Sequence, residues 1–280
     1  MTSVGIIGLG ALGEPIAALF LEAGFPTSVC DVRRDPVERL ARLGGRPCAT
    51  AGEVARQSEV IVSLVLDAAQ TMDVISSLLG EVRPGTILAI GSTLGPAPVR
   101  RIAQALEARR AHVLDIPISG GIVAAREGAL SVMVGGEDAV IERAMPVLKV
   151  FARDITRTGG VGSGQTAKLA HQLVFSVNVM ALLEGLALGV AGGLEPGVLK
   201  EVLRKGLAHS AVLHAWPDLG PRWKGMLAPS APGAPLPNLR KDLHLVLRMA
   251  EALGVPLPIA SQASRVADSG QATGLYSPDA

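Results

Sequence analysis

Lys168, His171 and Gln172 stand at i, i+3 and i+4, which gathers an amine, an imidazole and an amide on one face of a helix. A lysine beside an apolar core loses part of its preference for the charged form, so it can give or take a proton near neutrality. The same pattern also fits a lysine whose stem runs along a buried helix, with His171 simply hydrogen-bonded. Ser119-Gly120-Gly121 comes just after Asp115-Ile116-Pro117-Ile118. Such a turn exposes a hydroxyl and backbone N–H groups, which suit a carboxylate or a phosphate, or it is an ordinary exit from a strand. Lys241-Asp242-Leu243 puts an opposite-charge pair at the start of another helical stretch, where a solvated or capping pair is the plain alternative. Ser92-Thr93 leaves a strand and either lines a cleft or caps the helix near Pro98.

The most specific local pattern is Gly8-Leu9-Gly10-Ala11-Leu12-Gly13, read as a phosphate-binding turn. It follows the apolar run Ser3–Ile7 and precedes the apolar Ile16–Leu21. Gly8 permits the sharp turn, Gly10 lets backbone approach a pyrophosphate, and Gly13 lets the helix lie close on the strand. The helix N-terminus then offers N–H groups and a positive dipole end to the phosphates. Asp31 ends the next apolar run, about twenty residues on, where an acid accepts from a ribose hydroxyl. A carboxylate there repels a 2′-phosphate, so NAD is the expected cofactor. Arg33 and Arg34 follow closely and keep NADP as the alternative.

Around these residues the chain alternates strand and helix. Thr27–Cys30, Val60–Leu66, Thr86–Ile90 and His112–Asp115 read as strands. Pro36–Leu43, Ala51–Gln57, Ala68–Leu79 and Pro98–Arg109 read as the helices between them. Continuous apolar strands separated by helices predict a parallel sheet covered on both faces. Ala129–Val134 and Val150–Arg157 are further strand candidates flanking a helix at Ala139–Leu148. Past the glycine-rich junction Gly159–Gly164 the strand signals stop. Thr166–Ala191, Pro196–Lys205, Leu239–Leu253 and Pro258–Ser269 read as helices, and Ala228–Pro237 as a loop. The expected fold is an α/β Rossmann-type doubly wound sheet over residues 1–160, followed by an all-α C-terminal domain over 161–280.

Composition removes several function classes. Lys and Arg number 26 against 25 Asp and Glu, with no basic stripe interleaved with aromatics, so no nucleic-acid partner is expected. Two isolated cysteines, Cys30 and Cys48, suit neither a disulfide framework nor a zinc site, and no metal is expected. Small buried thiols and an N-terminus without basic or cleavage signals fit the cytoplasm. Leu173–Ala191 has the length of a membrane span, but Glu184 interrupts it and its flanks show no Lys/Arg bias. It reads as a helix buried by protein on all sides, with no membrane partner.

Taken in order, these motifs resemble the β-hydroxyacid dehydrogenases, the family that includes 3-hydroxyisobutyrate dehydrogenase. The likeness is collinear over nearly the whole chain. Gly8–Pro15 is similar to the family's nucleotide signature, Ser92-Thr93 with Pro96 to its S-T-x-x-P stretch, and Asp115–Gly121 to its D-x-P-x-S-G-G substrate motif. Gly162-Ser163-Gly164 with Lys168 is similar to G-x-G-x-x-x-K, and Lys241-Asp242-Leu243 to a late K-D-L segment. The resemblance implies NAD(P)-dependent hydride transfer on a small carboxylate-bearing hydroxyacid or its aldehyde or ketone, in a homodimer or homotetramer. It implies Lys168 as general acid/base and Ser119, Gly120 and Gly121 on the substrate carboxylate. Ser92 and Thr93 then border the nicotinamide, Lys241 lies close to substrate and cofactor, and Asp242 helps to position the substrate. Reductases of small aldehydes or imines, and a nucleotide-binding scaffold without catalysis, are the alternatives; Lys168 weighs against the imine branch and the scaffold.

Two departures fall where substrate binds. Gln172 stands where the family has Asn, moving the amide one methylene outward while leaving it able to donate to a substrate hydroxyl. His171 beside it is similar to the K-x-x-H-N pattern of the related 6-phosphogluconate dehydrogenases, and Leu236–Arg240 lacks an aromatic often found before the late lysine. A familiar substrate is therefore not carried over.

Overall fold

Val4–Ile7 forms strand β1, with all four residues buried, because an apolar run this short can lie flat only where both faces of a sheet are covered. In the computed structural model, which describes residues 2–214 and 235–269, β1 lies inside a nine-stranded sheet, third from one edge. The other strands are β2 (Thr27–Cys30), β3 (Arg46–Pro47), β4 (Val60–Ser63), β5 (Ile87–Ile90), β6 (His112–Asp115), β7 (Ile118–Ser119), β8 (Leu130–Gly135) and β9 (Ala152–Gly159). Their order is β3-β2-β1-β4-β5-β6-β8-β7, with β9 also paired to β8. The first six are parallel, and β8 runs antiparallel to both β6 and β7. The order reverses between β1 and β4, so their carboxyl ends form the crevice where doubly wound sheets take ligands.

Helices α1 (Gly13–Glu22), α2 (Arg34–Arg42), α3 (Ala51–Gln57), α4 (Ala68–Leu78), α5 (Pro96–Glu107), α6 (Gly121–Arg126) and α7 (Asp138–Phe151) connect the strands. Alternate strand residues feed opposite faces. Ile6, Val62, Ala89 and Leu114 join α1 and α7 in one core, and Ile7, Ile61, Leu88 and Ile90 join α3, α4 and α5 in the other. With so few aromatics, the first core gains its bulk from Phe20 against Phe151, edge to face at 5.9 Å.

Several boundaries differ from the sequence reading. Val150 and Phe151 belong to α7 rather than to a strand, because Val147, Leu148 and Phe151 share one buried helical face. β3, β7 and α6 are too short to produce a readable period.

The chain divides into two compact units, Met1–Lys168 and Leu169–Ala280, parting inside helix α8 (Ser163–Ala191). The elements of the second unit are all helices among its described residues: the rest of α8, then α9 (Pro196–Lys205), α10 (Ala211–His214), α11 (Pro235–Leu253) and α12 (Pro258–Ser269). Pro235–Pro237, expected as loop, opens α11, where proline's missing N–H has no helical partner to lose. Residues 228–234 of that expected loop lie outside the described residues. Val179, Leu183 and Leu186 of α8 pack with Leu199, Leu213, Leu239 and Leu243 in this unit's own core.

The expectation that α8 is buried on every side is corrected. Val174 is 56% exposed and Leu188 76%. With Ala181 also exposed, they form an apolar stripe repeating every seventh residue.

Candidate active site

The glycine turn has the geometry its sequence demands. Gly8 sits at φ +91, and a methyl there would lie 2.7 Å from the Leu64 carbonyl oxygen, so the turn lies tight against the end of β4. A methyl at Gly13 would strike the carbonyl oxygen of Gly8, which is why α1 can start so close to β1. Gly10 faces open space, with nothing within 4 Å of where a side chain would begin. This cradle, open at Gly10 and closed at Gly8 and Gly13, fits a dinucleotide pyrophosphate. Leu9 turns its side chain into the core, Leu12 is partly buried, and Ala11 is exposed at the tip, so these three present mainly backbone.

Asp31, just past β2, holds this turn in place. It accepts from the Leu9 N–H at 2.6 Å and, on its other oxygen, from the Arg33 N–H at 2.8 Å. The Arg33 guanidinium reaches back to the same oxygen at 3.2 Å and donates to the Leu9 carbonyl at 2.8 Å. Burial alone pushes the Asp31 carboxyl up, but the two N–H groups and the guanidinium outweigh it and hold it below the ordinary aspartate range. Arg33 is therefore engaged with the turn and its acid, an arrangement the sequence alone left open.

A second cluster forms where α8 begins. Asp115, fully buried at the end of β6, accepts from Gly162 N–H at 2.7 Å and Gln165 N–H at 2.8 Å, satisfying donors that open the helix. Burial pushes the Asp115 carboxyl up, against the pull of those N–H groups. Gln165, also fully buried, accepts from Leu94 N–H at 2.9 Å and Gly95 N–H at 3.1 Å and donates to the Ser92 carbonyl at 2.9 Å. The Ser92 hydroxyl donates to Val65 O at 2.6 Å, so Ser92-Thr93 is fixed between β4's exit and α8. Lys168 follows Gln165 by three residues and is buried, with 7% of its surface exposed. Sequence reading singled out Lys168, Ser92 and Thr93 but neither Gln165 nor the carboxylate of Asp115. No local signal marks either, because their partners lie far along the chain.

Ser119 and Gly120 turn the chain from β7 into α6. Gly120 lies at φ +129, where a methyl would crowd Ala124 at 2.8 Å, while Gly121 opens onto free space.

In the second unit, Gln172 donates its amide to Asp242 at 2.7 Å, and both are buried. Its amide oxygen lies 3.1 Å from His171 Nδ1, and the His171 ring stacks on Phe175. Lys241 sits 3.5 Å from the other Asp242 oxygen. The structure thus joins His171, Gln172, Lys241 and Asp242 into one polar group. It gives one Gln172 donor to Asp242, where the sequence reading aimed that amide at substrate.

The comparisons with known proteins cover both units. The family described as the NAD binding domain of 6-phosphogluconate dehydrogenase matches residues 3–160, and that described as NAD-binding of NADP-dependent 3-hydroxyisobutyrate dehydrogenase matches 162–280. The chain is 34% identical to 3-hydroxyisobutyrate dehydrogenase of Pseudomonas aeruginosa, over 94% of this chain and 90% of that one. It is 33% identical to 2-hydroxy-3-oxopropionate reductase of Escherichia coli, over 91% and 86% respectively. The crystal structure of 3-hydroxyisobutyrate dehydrogenase from Salmonella typhimurium aligns with a TM-score of 0.85 at 32% identity, covering 99% of this chain and 96% of that one.

Proposed function

Since the chain belongs to the β-hydroxyacid dehydrogenase family, an NAD(P)-dependent oxidoreductase family acting on CH–OH groups, we propose that Lys168 is its general acid/base on a small β-hydroxyacid. The observation that carries this reading is a buried amine in the first turns of α8, directly after a helix start tied to the Ser92–Gly95 segment. Bound along Gly8–Gly13 with its ribose on Asp31, the nicotinamide cofactor supplies the hydride acceptor or donor. In oxidation, Lys168 Nζ takes the hydroxyl proton as hydride leaves the same carbon. In reduction, the ammonium returns that proton to the oxygen as the carbonyl becomes an alcohol. A positioned group of this kind contributes about 100- to 10,000-fold.

Ser119 and the N–H groups of Gly120 and Gly121 hold the substrate carboxylate. His171, Gln172 and Asp242 are further substrate-binding residues in this reading, and Lys241 serves the cofactor. The likeness to 2-hydroxy-3-oxopropionate reductase of Escherichia coli favours a second reading, with an aldehyde reduced by the same residues in the reverse direction. Mixing the purified protein with NAD or NADP, reduced or oxidised, and a panel of β-hydroxyacids and semialdehydes tests both. Turnover seen at the reduced-nicotinamide absorbance supports them, and nucleotide binding without turnover on any member overturns them.

A homo-oligomer is part of the same proposal. The stripe Val174, Ala181 and Leu188 is apolar and exposed, and a second copy of this chain covering it accounts for its composition. Leu188→Glu is expected to shift the mass measured by light scattering toward the monomer; an unchanged mass removes this face from the assembly. The buried free thiols Cys30 and Cys48, the first pushed up to about 11 by burial, support a reducing cytoplasmic setting.

A further inference from the structure

We infer that Gln165 is a positioning residue for hydride transfer, holding the Ser92–Gly95 segment and the lysine-bearing turn of α8 as one piece, with Asp115 fixing Gln165 from behind. The inference rests on the proposed role of Lys168. Gln165 uses both ends of its amide within a fully buried site: its oxygen takes two consecutive N–H groups, Leu94 and Gly95, and its nitrogen gives to Ser92 O. Among side chains of this length only a neutral amide, or a protonated acid, can accept on one side and donate on the other. Lysine and arginine lack the acceptor, and an ionised glutamate lacks the donor.

The clamp's placement gives it a role beyond holding the fold. The segment it grips contains Ser92 and Thr93, which the reading of the site sets beside the nicotinamide. The element it grips from carries Lys168 three residues on, about 4.5 Å along the helix axis. Asp115 accepts the backbone N–H of Gln165 itself and that of Gly162, so the clamp's own base cannot slide. Two partners of the reaction, one on a loop after β5 and one on α8, thereby share a single buried side chain. Misplacement of such partners by an ångström costs about 100-fold in rate, far more than the loss of one hydrogen bond costs in binding.

The test compares full-length wild type with Gln165→Leu, Gln165→Glu and Lys168→Met. 3-Hydroxyisobutyrate and NAD serve as the activity probe, NADH fluorescence gives nucleotide affinity, and amide hydrogen exchange is measured on the nucleotide-free protein. Gln165→Leu is expected to speed exchange at Leu94 and Gly95 and to lower kcat by ~10- to 100-fold, with NADH affinity within about threefold. Gln165→Glu, which keeps the shape where Gln165→Leu fails to fold, is expected to gain kcat as pH falls, because only its protonated form donates to Ser92 O. The wild type has no such acid-side rise. Faster exchange at Leu94 and Gly95 with wild-type kcat overturns the inference. So does a kcat loss matched by an equal loss of NADH affinity, which marks a merely structural part. Wild-type turnover in Lys168→Met defeats the reading of Lys168 itself. An inactive Lys168→Met beside a fully active Gln165→Leu defeats the positioning role alone.

Discussion

Lys168→Met is expected to lower kcat by ~100- to 10,000-fold while nucleotide affinity stays within a few-fold. Methionine keeps the length and apolar stem of lysine, so the buried volume beside α8 stays filled and the helix stays in place. What disappears is the one group proposed to carry the hydroxyl proton. The residues proposed to hold the cofactor's phosphates and ribose, Gly8–Gly13 and Asp31, are not touched by the substitution. The loss therefore falls on the chemical step, and a primary deuterium isotope effect on kcat should reach its full size in the variant. Titration with NADH, steady-state kinetics on 3-hydroxyisobutyrate and thermal melting separate these effects. A variant that turns over at the wild-type rate removes Lys168 from the mechanism, and one that loses NADH binding in proportion to kcat makes it a structural residue.

What the sequence showed and what it hid divide by the range of the interactions. The turn at Gly8–Gly13 was legible because every constraint on it is local: a strand, a sharp bend, a close approach, a helix start. Asp31 was legible because its distance from the turn is set by one strand-helix-strand unit. Gln165 was not, because its partners lie on the loop after β5, some seventy residues earlier, and a buried amide leaves no periodic trace. Asp115 was visible only as part of a motif, and its carboxylate shows its purpose only when folding brings Gly162 and Gln165 to it. β8 was legible as the strand at Ala129–Val134, but its antiparallel direction was not, since alternation of strands and helices speaks for parallel pairing and says nothing of an edge reached by the two-residue β7. The apolar character of α8 was plain, but whether an apolar helix is covered by its own chain depends on partners that lie elsewhere in sequence or on a second copy.

The proposed preference for NAD follows from Asp31 and makes the second large prediction: kcat/KM with NAD exceeds that with NADP by at least ~10-fold, and Asp31→Ala raises KM for NAD by ~10- to 100-fold. Hydrogen bonds to a charged group are worth about 1.5–3 kcal/mol, which is that range in affinity. The carboxyl is held below its usual range, so it is ionised at neutral pH and repels the doubly charged 2′-phosphate of NADP. Arg33, the residue best placed to offset that repulsion, instead donates to Asp31 and to the Leu9 carbonyl. Removing Asp31 releases Arg33, so Asp31→Ala should improve the use of NADP relative to NAD. The same carboxylate ties pH to stability. Its folded pKa lies below its unfolded one, so its contribution is present above the ordinary aspartate range and is lost as pH falls through the folded value. The gap in melting temperature between wild type and Asp31→Asn should accordingly close on acidification below about pH 4. A wild type that prefers NADP, or an Asp31→Ala variant with unaltered KM for NAD, takes the ribose off Asp31 and leaves that acid as a brace for the glycine turn.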